Sequence, residues 1–201
     1  MRSSIEIIEG TEPVETDLIS LEDLKLELGI TDSSEDEQLQ ARIARESKAI
    51  AEYCGRIFAM TDVIETFTFD LWEGVIGRPL NLRNYPVEYV DGITQSDADA
   101  EYLLDAESGQ IWPAEGGTWG GTVVVSYSAG YDLPDGAPAG LQTAIIESIR
   151  QKRAFAARDP SVRETSHEGT SVGYFSGSES AGSFTQSVRD MLRQYKRPGF
   201  A

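Results

Sequence analysis

His167 is the only imidazole in the chain. Any Ser-His-Asp arrangement must therefore use it, because a general base has to sit between nucleophile and acid. It stands in Glu164-Thr165-Ser166-His167-Glu168-Gly169, and no Gly-x-Ser-x-Gly elbow accompanies it. An exposed loop histidine without a catalytic role is the plainer reading. Asp97-Ala98-Asp99-Ala100-Glu101 places oxygen ligands at alternate positions, like the start of a calcium loop. Tyr102 and Ser108 occupy the places where such a loop needs glycine and glutamate, so a solvated hairpin turn is preferred. Carboxylates are abundant, but a catalytic pair needs a pocket and a perturbed pKa, and the sequence shows neither. Gly116–Gly121 and Gly169–Gly182 follow no phosphate-cradling pattern. The single cysteine, Cys54, excludes an internal disulfide and a cysteine-rich zinc site, and it reads as a small apolar core residue. No enzyme activity, cofactor or metal is expected.

Four helices and a block of strands must position whatever remains. Ser20 with Asp23 makes a variant capping box for a helix near 20–28, where Leu21, Leu24 and Leu28 share a face and Gly29 stops the turn. Ser34 with Glu37 predicts a second box for a helix near 34–54. Leu39, Ile43, Ile50 and Tyr53 recur there at intervals near 3.6. A third helix spans about 139–157, with Leu141, Ile145 and Ile149 inward and a basic polar face. A fourth covers about 184–196. Between the second and third, 61–130 is β-branched, aromatic and punctuated by turns, with Thr122–Tyr127 its clearest strand. Residues 1–19 read as an arm or edge strand. Helices and strands are segregated along the chain, so the fold class is α+β: a small helical bundle carrying an antiparallel β insert. The expected division is a body over 1–158, a flexible Ser/Gly-rich loop over 159–183 and a C-terminal docking helix and tail over 184–201.

The chain has 201 residues, enough for a core without staples, and 34 acids against 17 bases for a net charge of −17. That balance opposes sequence-independent nucleic-acid binding and attraction to an anionic membrane surface. No apolar run is long enough to span a bilayer, and Glu6 and Glu9 interrupt the start where a signal peptide would be apolar. The charge is uneven. Residues 1–40 hold twelve acids and two bases, whereas 141–201 hold six acids and nine bases. The basic C-terminal stretch is either a packed terminal helix with a solvated face or a docking segment. The Ser/Gly-rich linker before it favours docking.

Three stretches, by their order and spacing, resemble the head–tail connector (adaptor) proteins of tailed bacteriophages and phage-like particles. They are Leu21-Glu22-Asp23-Leu24-Lys25 leading to a helix that ends Tyr53-Cys54-Gly55-Arg56; Val125-Ser126-Tyr127-Ser128-Ala129-Gly130-Tyr131 before a proline-led helix; and Val188-Arg189-Asp190-Met191-Leu192-Arg193-Gln194-Tyr195-Lys196-Arg197. The β insert is longer than in the smallest, mostly helical members. The resemblance implies a structural virion protein of the particle neck, assembled in the host cytoplasm. It implies a twelve-fold homo-oligomeric ring below the portal protein, which extends the DNA channel and offers a surface to a stopper or tail-completion protein. Double-stranded DNA would pass without specific binding, and no membrane partner is implied; another neck component or a soluble protein-binding module is the alternative. By position, Phe184, Val188, Arg189, Met191, Leu192, Arg193, Tyr195, Lys196, Arg197 and Phe200 are candidate portal contacts. Arg42, Arg45, Lys48, Arg150 and Arg153 are candidate ring-interface residues.

Overall fold

The computed structural model describes residues 2–13, 15–69, 75–76, 78–96, 98–114, 117–156, 164–167, 170–173 and 184–197, with backbone alone for 75–76, 164–167 and 170–173. In chain order the elements are β1 (Arg2–Ile7), α1 (Leu21–Leu28), α2 (Asp36–Cys54), β2 (Thr61–Thr68), β3 (Val75–Ile76), β4 (Leu80–Asn81), β5 (Val87–Gln95), β6 (Ala98–Asp99), β7 (Tyr102–Asp105), β8 (Gln110–Pro113), β9 (Thr118–Trp119), β10 (Thr122–Ala129), α3 (Ala139–Ala156), β11 (Glu164–His167), β12 (Thr170–Gly173) and α4 (Gln186–Leu192). A 3-10 turn, Arg193–Tyr195, closes α4. The mixed α+β class and the positions of the helices follow the sequence pattern.

The helix ends show why. The Ser20 hydroxyl accepts from the Asp23 amide at 3.1 Å and donates to the Asp23 carboxylate at 2.7 Å. Gly29 and Gly55 both adopt the left-handed conformation, φ +69°, that lets their amides return to the last turn. The expected capping box at Ser34 does not form. Ser34 turns back onto Asp32, its amide 2.9 Å from the carboxylate, and Glu35 caps α2 without a side-chain bond. Aspartate two residues earlier competes for the hydroxyl, and the local turn takes it.

The β residues build a five-stranded antiparallel sheet in the order β1-β2-β10-β5-β6, a three-stranded sheet β4-β8-β7, and two short pairs, β3-β9 and β11-β12. The N-terminal segment is thus the edge strand of the main sheet. Strand β10 lies at its centre, Val125 opposite Glu65 on one side and Ile93 on the other. Alternation puts Val123, Val125, Tyr127 and Ala129 on the buried face. These pack with Val63, Phe67, Leu80, Leu82, Ile111 and Trp119 into one core. A second core, built from Leu24, Leu39, Ile43, Ile50, Leu141, Ile145, Ile149, Val188 and Leu192, joins the four helices. The stretch 159–183, expected as a flexible loop, contains the β11-β12 hairpin; its other residues lie outside those described.

The two cores meet at the end of β10. Ala129 belongs to the β core, and Tyr131, two residues on, packs on the helical core. Between them Gly130 has φ +130°, and a Cβ there would overlap the Ala59 carbonyl. That close approach allows a parallel bridge from Ala59 to Tyr131, with the Tyr131 amide 2.7 Å from the Phe58 carbonyl. The Tyr-x-Ala-Gly-Tyr stretch is therefore the hinge where sheet hands over to helix.

Candidate assembly surfaces

The C-terminal segment 184–197 is seated in the body. Phe184, Val188 and Leu192 are 7%, 0% and 0% exposed, and Met191 and Tyr195 pack against the same helical core. The Phe184 ring meets Tyr53 edge-on at 5.5 Å, and the Lys152 ammonium lies 5.4 Å from its centre. Tyr195 meets Phe58 edge-on at 6.5 Å. The expected apolar portal anchors Phe184, Val188 and Leu192 are thus corrected to core residues. An amphipathic helix this short is stable only against a partner, and the α2–α3 groove supplies one within the chain. Arg189 donates from Nε to the Phe184 carbonyl at 2.7 Å. Arg193 and Lys196 remain exposed, with the Lys196 ammonium 4.0 Å from the centre of the Tyr53 ring. Phe200 lies outside the described residues.

Arg197 reaches the other way, into the sheet. Its Nη2 lies 3.1 Å from Oε1 of Glu65, a fully buried carboxylate, and 3.0 Å from the Ser3 hydroxyl of β1. Glu65 also accepts from the Arg83 amide at 2.8 Å and the Tyr127 hydroxyl at 3.1 Å. Burial pushes the Glu65 carboxyl above its ordinary range against these hydrogen bonds and the two guanidiniums. Burial also pushes Tyr127 up, with the Glu65 charge adding to it.

Arg56 is a buried cation, 4% exposed. Its guanidinium stacks 3.3 Å above the centre of the Tyr85 ring, approaches Phe58 at 4.8 Å, and donates to the Tyr85 carbonyl. Burial lowers its pKa, while the aromatic faces compensate for lost hydration. The Tyr85 hydroxyl points back to the carbonyls of Tyr195 and Lys196, at 3.5 and 3.4 Å. Neither Glu65 nor Arg56 was assigned a role from the sequence. For Glu65 a signal existed: β2 alternates, and a glutamate occupies an inward position between Val63 and Phe67.

The candidate ring residues divide in two. Arg150 bonds Glu147 at 3.4 Å and the Glu27 carbonyl at 3.3 Å, and Arg153 pairs with Glu35 at 2.6 Å. Both tie α3 to neighbouring helices, as does the Lys152–Glu46 pair at 2.7 Å. Arg45 and Lys48, by contrast, are exposed on α2, with Arg42 half-buried beside them, and none of the three pairs with an acid among the described residues. The outward face of the main sheet forms another surface. It carries Ile64 and Tyr89, 36% and 47% exposed.

His167 ends β11, and its side chain lies outside those described. Asp97 also lies outside; Asp99 pairs with Thr94 in a tight β5–β6 hairpin, the plainer of the two readings. Among the described residues no group of three acids, histidines or cysteines is placed to hold a metal ion. Cys54 is buried, and burial pushes its thiol up to about 11. Among the described residues no helix is long and apolar enough to cross a membrane.

Residues 18–78 match the phage gp6-like head-tail connector protein family. No curated protein matches the chain. Among solved structures, a chain in the neck of an empty gene transfer agent particle, computed with C6 symmetry, shares 13% identity at a TM-score of 0.57. The alignment covers 98% of this chain and 97% of that one. A chain of the native gene transfer agent virion shares 12% identity at a TM-score of 0.55, with the same coverage. The fold is therefore that of neck proteins of phage-like particles, over nearly its whole length.

Proposed function

We propose, for a chain whose residues 18–78 carry the head-tail connector pattern, that it is a structural adaptor in the neck of a phage or phage-like particle. The connector match carries the reading, and the end-to-end likeness to a neck chain supports it. In this reading copies form a closed ring below the portal, continue the DNA channel and present a surface to the stopper or tail. A ring of this kind needs two different faces on each subunit that fit each other. The net charge of −17 suits a conduit: an acidic wall repels phosphates and lets a duplex move without sticking. The exposed basic residues of the C-terminal segment, Arg193 and Lys196, are the proposed contacts to the portal, since its apolar face is spent on the chain's own core.

The test is genetic. Deleting the coding sequence in a particle-producing host should leave DNA-filled heads without tails, and a complementing copy should restore joining. Normal tailed particles in the deletion strain would refute the adaptor role. Tails with defective ends beside normal heads would favour a tail-completion component instead.

A further inference from the structure

Two surfaces of this chain have opposite character. The outward face of the five-stranded sheet is acidic with an apolar centre. Glu6 lies opposite Ile64, and Ile64 opposite Ser126. The Ser126 hydroxyl reaches the Asp91 carboxylate at 3.5 Å, which puts Asp91 on the same side. In the next row Asp62 lies opposite Ser128, and Ser128 opposite Tyr89. Of the residues forming these five strands only Arg2 is basic, and it sits at the far end opposite Thr68. The second surface is the outward side of α2, where Arg45 and Lys48 are exposed and Arg42 is half-buried. Of the acids of the helical layer, Glu46 holds Lys152, Glu35 holds Arg153 and Asp36 holds Lys25, while Glu37 and Glu52 of α2 are exposed and form no ion pair among the described residues.

We infer that the outward sheet face, centred on Ile64 and Tyr89 and edged by Glu6, Asp62 and Asp91, docks the Arg42–Arg45–Lys48 side of α2 from a second copy of this chain. This rests on the ring reading above and specifies which faces meet. Charge complementarity selects the occupant. The sheet face rejects anionic partners, and a second copy brings three cations that its own fold leaves without acidic partners among the described residues. The two faces differ, so each copy offers one and accepts the other, and contacts of this head-to-tail kind propagate until they close. Ile64 and Tyr89 supply apolar area that is withdrawn from water at the centre, while the charges at the rim fix register.

The experiment reverses the charges on the full-length chain and reads assembly by native mass spectrometry and sedimentation, with circular dichroism to confirm folding. Arg45→Glu with Lys48→Glu should raise the concentration needed for assembly by about tenfold or more, and Asp62→Lys with Asp91→Lys should do the same. All four together should restore assembly. The milder Arg45→Gln with Lys48→Gln should weaken it in the same direction, and high salt should weaken the wild type. A wild-type ring indifferent to each reversal, or four changes that do not rescue, overturns this pairing and leaves the ring reading standing. A wild-type chain that is monomeric in solution and absent from particle necks overturns the ring reading, and this pairing with it.

Discussion

The Arg197 guanidinium reaches across 132 residues of sequence to the buried carboxylate of Glu65, 3.1 Å away. The bond fastens the C-terminal segment to the second strand of the sheet, and through Ser3 to the edge strand as well. The segment is thus held at both ends: by Phe184, Val188 and Leu192 in the helical core, and by Arg197 in the sheet.

Arg197→Ala should cost about 3 kcal/mol, because it strips one cation from a carboxylate that stays buried, with Arg83 left at 3.9 Å. The loss should depend on pH in a defined direction. Burial holds Glu65 above its ordinary value of 4.5, so its contribution is whole below that value and is withdrawn as pH rises through the raised folded one. Removing Arg197 lifts the folded value further. Urea unfolding of the two proteins across pH should show a deficit that is smallest in acid and grows toward neutrality. A flat difference would mean that Glu65 does not titrate with folding.

Cys54 should resist alkylation in the folded protein at mildly alkaline pH. Its thiol is buried, and burial pushes it up to about 11, so little thiolate forms and reagent has no access. Labelling should appear only with denaturant, in step with loss of helical signal. Rapid labelling of the native chain would contradict the packing of α2 on the C-terminal segment.

Gly130→Ala should destabilise by about 3 kcal/mol or more, since the new Cβ meets the Ala59 carbonyl and the backbone there has φ +130°. Thermal unfolding gives the magnitude. Hydrogen exchange should show early loss at Met60 and Tyr131, the amides that close the bridge.

Two serines that look alike in sequence should behave differently. Ser20→Ala removes a working cap and should cost about 1 kcal/mol. Ser34→Ala removes only a turn contact at an exposed position and should change stability by less than about 0.5 kcal/mol. Equal losses in chemical unfolding would put the start of α2 back at Ser34.

Helix positions were legible in the sequence because Leu21, Leu24, Leu39, Ile43, Leu141 and Ile145 repeat at helical spacing, and Gly29 and Gly55 mark the stops. Strand β10 was legible from its β-branched run. Neither signal carries pairing, so the insertion of β10 between β2 and β5 was not readable: alternation says which face is buried, not which strand lies alongside. The C-terminal segment misled for a related reason. An apolar stripe at Phe184, Val188 and Leu192 states that something covers it, and the same stripe serves a foreign partner or the chain's own groove. Arg56 was hidden, and the alternation of β2 marked Glu65 as inward without naming its partners, because a buried charge is specified by distant groups, here Tyr85, Arg83 and Arg197, that lie close only after folding.

The contact between Arg197 and Ser3 joins residues 194 apart, so it orders events in time. A growing chain can form α1 and α2 as they emerge, yet Glu65 has no Arg197 to meet until almost all of the sequence has left the ribosome. Closing so long a loop is among the slowest steps a chain of this size takes. Subunits halted before the C-terminal segment lack the Arg197 cation at Glu65 and leave the helical groove open.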